Sequence, residues 1–271
     1  MQGWRILQEN LPKSIYVYAF ESKIDLLKAV IVGAARTPYH HGLLFFNLSF
    51  LSTYPTSPPQ VHYHSHGLRM NPNLYTNGYV CLSLINTWEC NNQERRDHSI
   101  STILQVLHSL QALVLNEEPY INEPGYEKSN PKYNQVDSMT YSNNVFILSC
   151  KTMQYLIKKL PTNFETFVVS HFRSCGSLVL RACNAYREGR ERVGCYKSDE
   201  SSSSSSLTDV IEISSKFKED MDLIYPKLVE AFIGIGASME DMNELKKVSP
   251  NKRKLTEKIS GRKSVKKIKK S

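Results

Sequence analysis

The sequence predicts an α+β fold in which an antiparallel sheet comes first and helices follow. Four short apolar segments, rich in β-branched and aromatic residues, follow one another in the N-terminal half with only turn-type residues between them. After residue 99 the apolar residues recur at steps of three and four positions, which is the spacing of an amphipathic helix. The order of these two patterns predicts a sheet built before the helices that cover it.

The predicted strands are short and closely spaced, and they cover residues 15–21, 29–34, 43–50 and 61–65. Connections this short do not allow crossovers, so neighbouring strands are expected to pair antiparallel as a four-stranded meander. Before the fourth strand, the segment YPTSPP (54–59) contains three prolines, which exclude helix and favour extended or turn backbone.

The helices are predicted from the change of period onward. The first is expected to begin near Ser99 and to end at Val114, with Ser99 or Ser101 as its cap. A loop follows over 116–133, and two further helices are predicted over 136–160 and 163–190. The last apolar stripe has helical spacing and is expected to be interrupted by Pro226.

These patterns divide the chain into five predicted parts. They are a core over 1–160, a helical extension over 161–196, a serine-rich linker over 197–206, a helical segment over 207–245 and a basic disordered tail over 246–271. The helical segment over 207–245 has three possible roles: packing on the core, binding a partner or folding weakly alone.

The basic residues are concentrated in the tail. Residues 246–271 contain twelve Lys or Arg and one acid, Glu257, so the rest of the chain carries a charge of −3 although the whole carries +8. Nucleic-acid binding is therefore expected only through the tail. Its density of Lys and Arg is typical of a nuclear-import signal, which predicts a nuclear, cytoplasmic or dual location; the alternative is a solubilising terminus.

The composition also favours an intracellular chain with reduced cysteines. The start, MQGWRILQENLP, lacks the pattern of a signal peptide, and no apolar run is long enough to cross a membrane. The cysteines show no paired short spacings, which favours free thiols over a disulfide framework, and they lie at positions 81, 90, 150, 175, 183 and 195. All of them except Cys81 are expected to pack or to have no chemical role.

Cys81 stands at the end of the segment NPNLYTNGYVCLSL, eight residues after Asn73, with no neighbouring base. This context suits an acceptor of an already activated acyl group, because thiol–thioester exchange needs only the few per cent of thiolate that an accessible cysteine of pKa about 8.5 supplies at neutral pH. The neutral amide of Asn73 is suited to stabilising an oxyanion. The alternatives are a buried structural thiol and an asparagine that only forms a turn.

The segment NPNLYTNGYVCLSLINTW, preceded by YPTSPPQVHYHSHGLRM and followed by STILQVLHSLQALVLNEEPYINEPGYE, resembles the catalytic core of ubiquitin-conjugating enzymes. It is most similar to the large subgroup that has NPN where most members have HPN. Plant members of that subgroup also resemble the HFR…ACNAY region, so the likeness covers about residues 4–190. It implies the ubiquitin-conjugating fold and no metal or organic cofactor, because ATP is consumed by the activating enzyme.

The resemblance also implies roles for individual residues. Cys81 would hold the C-terminus of ubiquitin as a thioester, and Asn73 would support the oxyanion or its loop. Asn122 and Glu123 occupy the loop where the family keeps a polar or acidic group beside the incoming lysine, with Glu123 favoured; both are alternatively solvated loop residues. The implied partners are ubiquitin, the activating enzyme, and a ligase or a direct protein substrate, with no membrane.

Three departures from the family bear on charging efficiency and ligase choice, and two of them, the short first helix and the altered ligase-facing loop, motivate an alternative function as a non-catalytic adaptor of the ubiquitin pathway. The first helix is represented only by WRILQENLP and is expected to be short or missing. Thr56 stands where many members have an aromatic residue for ligase contact, and the segment 89–101 is longer than usual and contains two arginines where the subgroup has a tryptophan.

A third function, a metal-dependent hydrolase, is motivated by the segment HYHSH. His62, His64 and His66 alternate, so on a strand they would share one face, which is a spacing found in metal sites. The sequence shows no nearby carboxylate to complete such a site.

Overall fold

The computed structural model describes residues 2–20, 23–88, 101–123, 126, 131–196 and 213–238. Four strands form one antiparallel sheet in sequence order, β1 (Ile15–Phe20), β2 (Lys23–Val32), β3 (Leu43–Ser49) and β4 (Gln60–Tyr63). The predicted meander is confirmed. β2 begins six residues earlier than predicted, because the first half of this strand pairs with β1 while its side chains stay largely exposed, which hides the strand from an apolar pattern.

The described residues form five α-helices beside the sheet: α1 (Gln2–Asn10), α2 (Ile103–Ser109), α3 (Pro131–Lys158), α4 (Glu165–Arg187) and α5 (Ser215–Gly234). The first helix is therefore present but short, with nine residues. α2 begins later than predicted, at a capping box in which Thr102 and Gln105 satisfy each other's backbone amides. The next turn, Leu110–Val114, continues from α2 as a π-helix.

Pro226 lies inside α5, so the predicted interruption at this residue is wrong. Met221, Ile224, Leu228 and Phe232 are buried on both sides of the proline. The packing of this apolar face maintains the helix although the proline removes one backbone hydrogen bond.

The sheet separates two apolar clusters. Successive strand residues point to opposite faces, so Ile31 and Phe46 belong to a cluster with α2, whereas Val30 and Phe45 belong to a cluster with α3, α4 and α5. Ring contacts join α4 directly to the sheet, since the centroids of Phe167 on α4 and Tyr16 on β1 are 4.4 Å apart. The helices after residue 160 thus cover one face of the sheet.

Several sequence predictions lie outside the described residues. They are residues 89–100 of the segment with two arginines, Cys90, the serine-rich linker over 197–206, residues 207–212 and 239–245 of the last helical segment, and the basic tail over 246–271. Within the described part of the chain, no helix combines the length and the apolarity that a membrane span requires.

Candidate active site

Cys81 lies beside Asn73, as the sequence predicts. The segment after β4 turns back on itself at Asn77 and Gly78, and isolated bridges pair Leu74 with Val80. Gly78 has a φ of 86° and lies so close to the ring of His62 that a Cβ there would overlap it, so this turn requires glycine. The amide of Cys81 donates to the carbonyl of Asn73 (2.9 Å), and Nδ2 of Asn73 donates to the carbonyl of Cys81 (3.1 Å).

Asn71 fixes the loop that bears Asn73. Its side chain is completely buried, and its Oδ1 accepts from the amide of Asn73 (2.8 Å), which forms an Asx turn. Its Nδ2 donates to the hydroxyl of Tyr39 (2.9 Å) and to the carbonyl of Val114 (2.6 Å). The loop is therefore anchored to two distant segments. The role of Asn71 was not predicted, and the only sequence signal for it is the asparagine on each side of Pro72.

The thiol of Cys81 is less accessible than expected. The residue is 7% exposed, and its Sγ donates to the carbonyl of Thr87 (3.0 Å). Burial raises the pKa of the Cys81 thiol, and the nearby negative charge of Glu123 raises it further. In this conformation, Cys81 therefore has a smaller fraction of thiolate at neutral pH than an ordinary accessible cysteine.

Glu123 and Asn122 differ in their surroundings. Asn122 braces its own loop, because its Nδ2 donates to the carbonyl of Val114 (3.0 Å) and its Oδ1 accepts from Asn116 (2.7 Å). The carboxylate of Glu123 lies 3.8 Å from the guanidinium of Arg69, is partly exposed and acts on the Cys81 thiol. Of the two side chains, Glu123 is the one that acts on the Cys81 thiol, whereas the hydrogen bonds of Asn122 join its loop to Asn116 and to the end of the preceding helix.

Arg69 joins two sides of the site. Its guanidinium lies 5.0 Å from the ring centroid of Tyr75 and its Nη2 donates to the carbonyl of Pro72 (3.4 Å). Burial raises the pKa of the Tyr141 hydroxyl to about 12, and the positive charge of Arg69 partly offsets this rise. The place of Arg69 in the site could not be predicted, because no local sequence pattern shows that the loop bearing Glu123 returns to it.

The histidines of HYHSH are not arranged as one row on a strand. β4 ends at Tyr63, and His66 has a left-handed backbone with a φ of 50°. Burial and the neighbouring positive charges of His62, Lys28 and His66 lower the pKa of His64 to about 4. In the described ranges there is no group of three or more His, Cys, Asp or Glu side chains that could hold a metal ion.

The remaining described cysteines are also free. Cys150, Cys175 and Cys183 are buried in the cluster with α3, α4 and α5, and Cys195 is exposed. Cys81 is distinguished from them by its pairing with Asn73 and its proximity to Glu123.

Residues 2–147, which include the sheet, the Asn73–Cys81 pair and Glu123, match the family model described as ubiquitin-conjugating enzyme. This chain belongs to the ubiquitin-conjugating enzyme family. The match ends within α3, so α4 and α5 lie beyond the part that the family model describes.

Curated relatives are similar to this family member over a longer stretch. The chain is 56% identical over 187 residues to the probable ubiquitin-conjugating enzyme E2 25 of Arabidopsis thaliana, which covers 69% of this chain and 31% of the relative. It is 46% identical over 238 residues to the putative ubiquitin-conjugating enzyme E2 38 of the same plant, covering 86% and 71%. It is 40% identical over 176 residues to the human dual E2 ubiquitin-conjugating enzyme/E3 ubiquitin-protein ligase BIRC6, covering 61% and 4%.

The chain spans only part of several of these relatives, since it covers 31%, 22% and 42% of the lengths of the Arabidopsis enzymes E2 25, E2 23 and E2 26.

The departures from the family that concern docking can be located in part. Leu7 of α1 is buried in the cluster with α2, so the short first helix is integrated in the fold. Thr56 is exposed on the loop before β4.

Proposed function

We propose that this chain accepts ubiquitin as a thioester on Cys81 and transfers it to the amine of a lysine. The observation that carries the proposal is the pairing of Cys81 with Asn73, whose amide donates to the Cys81 carbonyl at 3.1 Å. A nucleophile and a neutral hydrogen-bond donor are thereby held side by side in a member of a family named for this reaction.

The first step is an exchange between the thiol of Cys81 and the thioester of the activating enzyme. The thiolate of Cys81 attacks the carbonyl carbon of the ubiquitin C-terminus, which is bound to a cysteine of the activating enzyme. A new C–S bond to Cys81 forms, the old C–S bond breaks, and the departing thiolate takes up a proton equivalent to the one that Cys81 lost. No cofactor is required of this chain, because the ATP is consumed when the activating enzyme forms its own thioester.

The second step forms the isopeptide bond. A lysine amine attacks the carbonyl carbon of the Cys81 thioester, so that a C–N bond forms and an oxyanion develops. The C–S bond then breaks, and the departing Cys81 thiolate takes up the equivalent of the proton that the nitrogen loses. A positioned donor such as the Asn73 amide contributes roughly 3 to 4 kcal/mol where comparable donors have been removed. The lysine ammonium has a pKa of about 10.4 and must lose a proton before it attacks. We propose that Glu123 accepts this proton, and its effect on the pKa of the Cys81 thiol supports this role.

The partners follow from this reaction. They are ubiquitin, an activating enzyme, and either a ubiquitin ligase or a direct protein substrate. The basic residues of 246–271 support import into the nucleus as a further proposal, alongside a cytoplasmic location.

A charging assay tests the proposal. The chain is incubated with activating enzyme, ubiquitin and ATP and then run on a non-reducing gel. We expect a thiol-sensitive ubiquitin adduct that Cys81→Ala abolishes and that Cys81→Ser converts into a thiol-resistant ester. Absence of an adduct under conditions that charge a control enzyme would contradict the proposal.

The second candidate is the non-catalytic adaptor, and the observation that favours it is the 7% exposure of Cys81. An adaptor would bind ubiquitin or a pathway enzyme equally well with and without Cys81. Binding that survives Cys81→Ala, together with no adduct in the wild type, identifies the adaptor.

A further inference from the structure

The segment directly after Cys81 folds back onto it as a compact turn. Ser83–Ile85 form one 3₁₀ turn, and Asn86 follows with a left-handed φ of 57°, a conformation that asparagine tolerates better than most residues. The amide of Thr87 then donates to the carbonyl of Leu82 (3.2 Å). Because Ile85 is buried under the turn, the turn is anchored to the core at its middle.

The hydroxyl of Thr87 closes the turn against the cysteine segment. Its Oγ1 accepts from the amide of Leu82 (2.8 Å) and donates to the carbonyl of Val80 (2.8 Å), with the carbonyl of Leu82 slightly farther away (3.1 Å). One hydroxyl therefore contacts the backbone on both sides of Cys81. A valine of the same shape has no hydroxyl and would lose these bonds.

The carbonyl of Thr87 points at the reactive sulfur. It accepts from Sγ of Cys81 (3.0 Å) and from the hydroxyl of Tyr79 (3.3 Å). The side chain of Thr87 thus fixes the place of a carbonyl that its own backbone offers to the thiol.

We propose that Thr87 is a positioning residue for Cys81: its hydroxyl locks the turn 83–87 in place, so that its carbonyl holds the sulfhydryl in a closed, protonated arrangement that must open before the sulfur reacts. The inference rests on the proposed function only for the identity of the reaction that follows the opening. The hydrogen bonds of Thr87 and their effect on the reactivity of the Cys81 thiol do not depend on that function. It assigns to Thr87 a role that its position six residues after Cys81 does not reveal.

The other groups that act on the thiol have to be separated from Thr87. Glu123 faces it from the loop after α2, Arg69 lies 3.8 Å from Glu123, and Tyr79 shares the Thr87 carbonyl. Glu123 acts through its charge and does not depend on the Thr87 hydroxyl. A bond donated by the thiol stabilises its neutral form, so opening the turn should lower the pKa of Cys81.

The test is the alkylation of Cys81 by iodoacetamide in the full chain, followed as a function of pH by the mass of the peptide that contains Cys81. We expect Thr87→Val to react about three- to tenfold faster than wild type near neutral pH, which is the effect of one ordinary hydrogen bond. Thr87→Ser retains the hydroxyl and should behave as wild type. Thr76→Val, a change at an exposed threonine of the preceding hairpin, is the matched control and should also behave as wild type.

Two results would overturn the inference. One is an unchanged rate in a folded Thr87→Val variant, and the other is equal acceleration by Thr87→Ser. If Thr87→Val does not fold, Thr87→Ala, which removes the hydroxyl without adding a branched apolar side chain, provides the measurement, and an alkylation rate equal to that of the wild type refutes the inference. Iodoacetamide requires no ubiquitin, so failure of the lock and failure of the charging assay are separate results.

Discussion

Asn73 and Cys81 are joined by two hydrogen bonds, one from the Cys81 amide to the Asn73 carbonyl and one from the Asn73 side chain to the Cys81 carbonyl. The side-chain amide is therefore fixed relative to the peptide that bears the nucleophile. Because Asn71 holds the amide of Asn73 and is itself bonded to Tyr39 and Val114, the pair is supported from the core rather than by the surface loop alone.

This arrangement predicts that Asn73→Ala separates the two steps of the proposed reaction. Charging of Cys81 should stay near the wild-type rate, because thioester exchange does not depend on a preformed donor from this amide. Discharge onto free lysine should fall by about 100-fold or more, as for other enzymes that lose an oxyanion donor. Single-turnover discharge of the purified thioester measures this directly.

The matched control is Thr76→Ala, which removes an exposed side chain from the same hairpin. Its discharge rate should equal that of the wild type. An Asn73→Ala enzyme that discharges at the wild-type rate would leave Asn73 only the turn-forming role.

Glu123→Gln is predicted to change two properties in opposite directions. Loss of the negative charge should lower the pKa of the Cys81 thiol, so alkylation at neutral pH should become faster. Discharge onto lysine should become slower at neutral pH and should recover as the pH rises toward the lysine pKa of about 10.4, where solvent supplies the free amine.

Glu118→Gln is the control for this change, since Glu118 is an exposed carboxylate at the start of the same short turn. A Glu123→Gln discharge rate that stays low at all pH values would argue against proton transfer and for a structural role through Arg69.

The sheet and most of the helices could be predicted from the sequence because each of these elements buries one face, and the spacing of its apolar residues shows whether that face belongs to a strand or a helix. Lys23 and Asp25 at the start of β2 were missed because their side chains are exposed, so that backbone pairing left no apolar pattern. In the site, the pairing of Asn73 with Cys81 could be predicted from their spacing and the turn between them. Thr87 and Arg69 could not, because their roles depend on how chain segments return to the cysteine.

His40 is predicted to couple stability to pH. It is buried, stacked on Phe146, and accepts at Nε2 from the hydroxyl of Tyr186 (3.0 Å), whose oxygen already accepts from two backbone amides, those of Gly194 and Tyr196. Burial, aided by the charge of His41, lowers the pKa of His40 to about 3.

The sign follows from the unfolded value of about 6.5. Below that pH the unfolded chain binds a proton that the folded chain does not, so the contribution is intact above pH 6.5 and is lost as the pH falls toward 3. Between neutral pH and about pH 5, His40 alone should reduce the free energy of unfolding by about 2 kcal/mol. Urea unfolding of the wild type and His40→Gln should show a flatter pH dependence in the variant; parallel curves would contradict the assignment.

The fold predicts that α5 is part of the core rather than an independent segment. Phe232 is completely buried and its ring lies 5.9 Å from that of Phe172 on α4, whereas Leu223 on the same helix is 65% exposed. Phe232→Ala should therefore lower the free energy of unfolding by about 3 to 5 kcal/mol through lost burial and the cavity that remains. Leu223→Ala should change it by less than about 0.5 kcal/mol. Denaturant unfolding followed by circular dichroism distinguishes the two, and equal small effects would show that α5 folds apart from the rest of the chain.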